Sequence, residues 1–188
     1  MNDTSLGGLF GKDYRVLNVI LDQPEIEWTL PQVTKATLLP KMSAYRSLER
    51  ILKEGILTAR SDHYRKYYRL KYSYLTRFLR ILRNLDSIVI KEVMARFGKD
   101  STFIILFGSR AMGTDEPGSD WDILVVSDSL TAVQINQVIT KLEKKAHAQI
   151  NVKLFTSPGF KELISEKTPF VTEVQKNSYV LKGDLHGY

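Results

Sequence analysis

Asp120 and Asp122 flank Trp121 and open the apolar run Ile123-Leu124-Val125-Val126. Side chains at i and i+2 of a strand leave the same face, so the two carboxylates would stand side by side. Paired hard oxygen ligands suit Mg²⁺ (or Mn²⁺), which takes few protein carboxylates and draws the rest of its shell from water and substrate phosphates. Upstream, Gly108-Ser109 ends the apolar run that starts at Thr102, and residues 110–119 separate it from the acidic pair. Gly108 lets backbone approach a phosphate closely. Ser109 and the amides at the start of a following helix can hold a triphosphate. Arg110 adds positive charge, and Ser119 stands directly before the carboxylates. The candidate site is therefore Asp120 and Asp122 as metal ligands, with Ser109 beside them in catalysis. Gly108, Ser109, Arg110 and Ser119 are the candidate nucleotide contacts. Two strand-edge carboxylates holding no metal are the bland alternative, and the Gly-Ser element at this spacing weighs against it.

The segments Phe107-Gly-Ser-Arg-Ala-Met-Gly113 and Ser119-Asp-Trp-Asp-Ile-Leu-Val125 resemble the motif of the polymerase-beta-like nucleotidyltransferases, in particular the minimal branch. The resemblance implies an α/β domain that binds an NTP with Mg²⁺ and transfers a nucleotidyl group to an acceptor. Members of that branch pair with a partner toxin and modify it, so it also implies an antitoxin role with a protein acceptor. The family carries a third carboxylate on a later strand. Here that segment is Ala148 to Phe155, in which Gln149, Asn151 and Lys153 share one face and Asn151 takes the carboxylate's place. Asn is neutral and is no general base. This departure bears on a second metal and on activation of an acceptor hydroxyl. It favours an alternative: a transcription regulator whose second domain senses nucleotide or only dimerises.

The elements that must position these residues read as follows. Residues 102–107 and 123–126 are nearly continuous apolar runs, the pattern of strands buried on both faces. Leu130 to His147 has helical spacing with Val133, Ile135, Val138, Ile139 and Leu142 inward. Ser157-Pro158 opens another helix, Phe170-Val171-Val174 mark a third, and Tyr179-Val180-Leu181 suit a final strand. Trp121 points away from the carboxylates, toward core. His63, His147 and His186 form no metal-ligand spacing.

The N-terminal half differs in charge. Residues 1–97 hold 17 Lys and Arg against 10 Asp and Glu, whereas residues 98–188 hold 10 against 11. A basic module joined to a near-neutral one suits a polyanion on one side only. Asp13 can cap a helix over Tyr14–Leu21, Pro31 starts a second over Leu30–Leu38, and Ser43 caps a third from Ala44 to Glu54. Ile56–Arg60 and Lys66–Leu70 follow as a hairpin. Three helices and a basic hairpin resemble a winged helix-turn-helix. Its third helix fits the major groove of double-stranded DNA, with Ser43, Arg46, Ser47 and Arg50 facing it. Its wing lies on phosphates through Arg60, Arg65, Lys66 and Arg69. Winged helices also bind proteins, so that alternative stands beside DNA. Residues 74–97 contain neither Pro nor Gly and carry an apolar stripe. They form one helix, or two broken near Asn84–Asp86, and the stripe is core, a packing seam or a homodimer interface.

The expected fold is thus α/β (α+β) in two modules. A winged helix spans 10–72, a linking helix 73–98, and a nucleotidyltransferase-like mixed sheet with flanking helices 99–188. The chain of 188 residues has no Cys, which excludes disulfide frameworks, thiolate zinc sites and thiol nucleophiles. No apolar run approaches the roughly 18 residues of a membrane span, and Met1 to Gly11 lack a secretory pattern, so a cytoplasmic protein is expected.

Overall fold

The computed structural model describes residues 6–166 and 168–184, which leaves His186 outside the described residues. The chain folds as two compact units, residues 1–86 and 87–188.

In the first unit, α1 (Leu6–Asp22) is kinked at Gly11, whose φ of 60° and ψ of −132° no helix accommodates. The sequence pattern begins just after this kink. Asp13 accordingly lies within α1 rather than capping it. Thr29 and Gln32 form a reciprocal capping box on α2 (Leu30–Thr37). The helix closes on Leu38 in the left-handed region, which a non-Gly residue adopts at some cost. α3 spans Lys41–Lys53, with Pro40 at its cap. The expected cap, Ser43, sits inside the first turn and donates its amide to the Pro40 carbonyl at 2.8 Å. Pro40 thus starts this helix.

Strands β2 (Leu57–Asp62) and β3 (Arg65–Leu70) form an antiparallel hairpin, and β1 (Trp28–Thr29) pairs with the other side of β3. Tyr68 and Leu70, two residues apart on β3, point into the core with Leu57, whereas the rest of β2 is exposed. Val16, Ile20, Val33, Ala44 and Leu48 complete that core, each at 0% exposure. The arrangement is three helices and a projecting hairpin.

Residues 74–97 form two helices, α4 (Tyr74–Leu85) and α5 (Ile88–Phe97). Ser73 caps α4 and Ser87 caps α5. Asp86 closes α4 against α1 by accepting from the Leu6 amide at 3.3 Å and the Tyr14 hydroxyl at 3.4 Å. Arg83 reaches Asp22 on the same helix α1. Burial and the Asp86 charge push the Tyr14 hydroxyl up to about 12. The face of α4 that turns inward is mostly polar: Thr76, Arg80 and Asn84 are buried with Ile81. Of the apolar stripe read as core, a packing seam or a homodimer interface, Leu75, Phe78 and Leu82 are 46–59% exposed.

The second unit is built on a four-stranded mixed sheet. Its strands are β4 (Phe103–Phe107), β5 (Trp121–Val126), β6 (Ile150–Phe155) and β7 (Ser178–Lys182), in the order β6-β5-β4-β7. β4 runs antiparallel to β5 and β7, and β5 runs parallel to β6. Both central strands are buried throughout except at Asp122. One face carries Phe103, Ile105, Phe107, Leu124 and Val126, packed against Phe160 of α8 (Ser157–Ser165) and Val174 of α9 (Pro169–Lys176). The alternate residues Ile104, Leu106, Ile123 and Val125 fill the other face at 0% exposure. α5 packs on α7 (Ala132–Ala146), which ends on exposed His147. Among the described residues no helix is long and apolar enough to cross a membrane.

Candidate active site

Strand β4 ends at Phe107 in extended backbone and turns directly into the five-residue helix α6 (Gly108–Met112). Gly108 makes this turn at φ +75°. A Cβ there would stand 2.6 Å from the Asp122 carboxylate, so backbone freedom and close approach both require glycine.

Register then assembles the site. Asp122 lies opposite Phe107 on one side and opposite Asn151 on the other. Asp120 precedes β5 by one residue and still reaches the same place. The Asn151 amide nitrogen donates to Asp120 Oδ2 and to Asp122 Oδ1, each at 3.3 Å. Gln149 orients that amide by donating to Asn151 Oδ1 at 3.2 Å. The two carboxylates predicted to share a face are therefore brought together, with Asn151 at the position expected of a third.

Arg110, a candidate nucleotide contact, is engaged by protein groups. It is buried, at 7% exposure. Its guanidinium donates to the carbonyls of Ser119 (2.5 Å) and Asp120 (3.2 Å), and it pairs with Asp115 at 3.3 Å. It also lies 4.2 Å from the centre of the Trp121 ring. Arg110 is thus a positioning residue: it ties the 113–120 loop to the carbonyl of Asp120. Asp115, at 3% exposure, was hidden in the sequence by the polar stretch around it. Ser119 also serves the loop, since its Oγ accepts from the Glu116 amide at 2.8 Å. Ser109 is half-buried, and its carbonyl accepts from Thr114 at 3.0 Å.

Asp120 and Asp122 supply hard carboxylate oxygens that fit a divalent cation completed by phosphate oxygens, whereas Asn151 presents its amide nitrogen to the pair and turns its oxygen to Gln149. No group of three His, Cys, Asp or Glu suited to a metal occurs among the described residues. Asn151 in place of a carboxylate accounts for this at the acidic pair.

The residues proposed to touch DNA separate into two groups. Ser47 is fully buried and reaches no base edge. Arg50 is held by Asp13 through two hydrogen bonds of 2.9 and 2.6 Å. On the wing, Arg60 pairs with Glu27, Lys66 with Glu49 and Arg69 with Glu25. These cations are spent largely on neighbouring carboxylates, so the wing is less basic than its sequence. Ser43 is half-buried, and Arg46 and Arg65 are exposed. The structure adds Lys41, Tyr45 and Tyr64, which with Arg65 line a cleft of about 720 Å³ between the start of α3 and the hairpin. Tyr45 was legible as the residue one turn after Lys41, but nothing local tied it to the hairpin.

A family model described as polymerase beta, nucleotidyltransferase, matches residues 89–183. The chain belongs to this nucleotidyltransferase family. The matched range takes in every residue of the acidic site, from Gly108 to Asn151. None of the curated proteins matches this chain significantly. Among solved structures, it is similar to a mutant of the toxin–antitoxin MntA-HpeT at 20% identity, covering 53% of this chain and 73% of that one, with a TM-score of 0.38. A toxin–antitoxin with AMP-PNP aligns at 22% identity over the same shares, also at 0.38. TrmBL2, an archaeal chromatin protein, aligns at 12% identity, covering 83% and 68%, with a TM-score of 0.29.

Proposed function

We propose that this family member transfers a nucleotidyl group from a nucleoside triphosphate to an acceptor hydroxyl. The observation that carries this reading is the convergence of Asp120 and Asp122 on one amide, beside a turn that only glycine can make. Asp120 and Asp122 would hold one Mg²⁺ or Mn²⁺ ion, which when bound neutralises charge on the phosphates. Gly108 leaves room for phosphate oxygens and Ser109 orients them. Arg110 keeps Asp120 in place from behind. The acceptor oxygen forms a bond to the α-phosphorus as the bond to the β-phosphate oxygen breaks. Pyrophosphate leaves with that electron pair, and the acceptor proton passes to water, because Asn151 has no basic atom to take it. A partner protein such as a toxin is the acceptor implied by the sequence resemblance, which would make the chain an antitoxin. The test is label transfer from α-labelled ATP. Transfer by wild type that disappears in Asp122→Asn supports the mechanism, and equal transfer in both rejects it.

A second reading is favoured specifically by Asn151: a regulator that binds NTP without transferring it. Metal-dependent NTP binding with no label transfer selects it.

In either case the first unit is proposed to bind double-stranded DNA through Lys41, Tyr45, Arg46, Tyr64 and Arg65. The exposed Leu75, Phe78 and Leu82 of α4 support a homodimer that presents two half-sites. A gel shift at two salt concentrations tests the first point. Arg46→Ala and Arg65→Ala should each weaken binding and lower the salt slope by about 1, whereas Ser47→Ala should do neither. A protein partner for this unit is the outcome if affinity never exceeds that of a generic basic protein.

A further inference from the structure

An apolar cavity of the second unit lies next to the acidic pair. It lies beneath α8 and α9, has a volume of about 190 Å³, and is lined by Ile105, Leu124, Phe160, Phe170, Val174 and Gln175, among others. Ile105 and Leu124 stand two residues along their strands from Phe107 and Asp122. They are therefore on the carboxylate face of the sheet, about 7 Å further in. Phe170 forms the shared wall. Its ring meets Phe107 edge-on with centroids 5.6 Å apart, and Lys153 Nζ lies 5.2 Å from its centre. Lys153 is itself two residues from Asn151 on β6. The apolar cavity and the acidic pair are thus neighbours on one face of the sheet, with Lys153 beside the Phe170 wall and level with Leu124.

Apolar space of this size is not neutral in a small domain, because an unfilled void forfeits packing in proportion to its volume. A cavity of roughly 150 Å³ accepts a benzene ring, so this one has room for a planar heterocycle. Its chemistry is also that of a base site. Phe170 offers an aromatic face for stacking. Gln175, exposed and the polar residue among those named, offers an amide that both donates and accepts and can read a base edge.

We propose that this cavity receives the nucleobase of the triphosphate whose α-phosphate lies at Asp120 and Asp122. The ribose spans the step between them, and Lys153 lies along its path. The inference rests on the nucleotidyltransferase reading above, and it adds that the enzyme selects its donor by the base and not by the triphosphate alone.

Calorimetric titration of the full chain with Mg²⁺-ATP and with Mg²⁺-tripolyphosphate tests it. The expected result is that ATP binds about 10-fold or more tightly than tripolyphosphate, from stacking of the base. Val174→Phe, which fills the cavity, should bring ATP down to the level of tripolyphosphate and leave tripolyphosphate unchanged. Equal affinities in wild type, or an ATP advantage that survives Val174→Phe, overturn the base site while leaving the proposed function standing. If neither ligand binds, both fall. Should Val174→Phe fail to fold, photolabelling of wild type with 8-azidoadenosine triphosphate decides alone. Adducts within residues 168–176 support the site, and adducts confined elsewhere overturn it.

Discussion

Asn151 donates its side-chain amide to Asp122 Oδ1 at 3.3 Å across the parallel β5–β6 pair. One amide group serves both carboxylates of the site, because Asp120 Oδ2 accepts from the same nitrogen. Where a third carboxylate would repel the pair, Asn151 lets the two acids stand together before any cation arrives.

Asn151→Asp removes that amide and sets three carboxylates side by side. Without metal the variant should melt several degrees lower than wild type at pH 7, corresponding to about 1–2 kcal/mol for like charges held together. Millimolar Mg²⁺ should restore the melting temperature by more than it raises that of wild type. Thermal scans with and without Mg²⁺ check both points. A variant that melts like wild type in the absence of metal would show that the Asn151 amide does not matter to the pair.

Gly108→Ala puts a methyl group 2.6 Å from the Asp122 carboxylate at a φ that L-residues avoid. The expected cost is about 1–3 kcal/mol, with loss of metal-dependent NTP binding because Asp122 must move. Gly118 has a φ of +87° with nothing near its missing Cβ, so Gly118→Ala strains backbone alone and should retain binding. Calorimetry on the two variants separates a displaced carboxylate from a strained loop.

Arg110 and Asp115 form a buried ion pair, with side chains 8% and 4% exposed. Removing one partner leaves the other charge unpaired, so Arg110→Met and Asp115→Asn should each destabilise the second unit by about 3–5 kcal/mol. Arg110→Lys should rescue little, because a point charge cannot serve two carbonyls, a carboxylate and the Trp121 ring together. Urea unfolding followed by Trp121 fluorescence reads this, with Trp28→Phe as background to isolate the second unit.

Acid should loosen the first unit. The Arg50 hydrogen bonds hold the Asp13 carboxyl below the usual range, and Lys66 with Tyr68 does the same for Glu49. Both values are lower folded than unfolded. Their contribution is therefore complete above the unfolded values, near pH 4–4.5, and is lost as pH falls through the folded ones. These pairs are partly exposed, so each is worth about 0.2–1 kcal/mol. The urea midpoint of the first unit should drop between pH 5 and pH 3, and by less in Asp13→Asn. A midpoint that rises over that interval contradicts the assignment.

Much of the site was legible in residue order. Gly108-Ser109, the ten-residue spacing and Asp120-Trp121-Asp122 are local facts, and period-2 alternation placed Gln149, Asn151 and Lys153 on one face before any fold was known. Buried strands declared themselves through uninterrupted apolar runs at 102–107 and 123–126, because a strand covered on both sides has no polar face to show. Helix starts were less legible. Pro40 rather than Ser43 caps α3, and Gly11 bends α1 instead of preceding it, since capping residues compete locally and the winner is set by how the helix packs.

What sequence could not supply was partnership between distant residues. Arg110 and Asp120 are ten residues apart, yet only the folded loop turns the guanidinium onto the Asp120 carbonyl. Arg50 reads as a free cation until α1 brings Asp13 to it across 37 residues. The apolar stripe of α4 reads as core, seam or dimer interface alike until Thr76, Arg80 and Asn84 take the inward face. Residue types and spacing decide which chemistry a chain can attempt, because strand and helix periods are local. Which charges remain available for it is a matter of proximity in space, and only tertiary structure decides that.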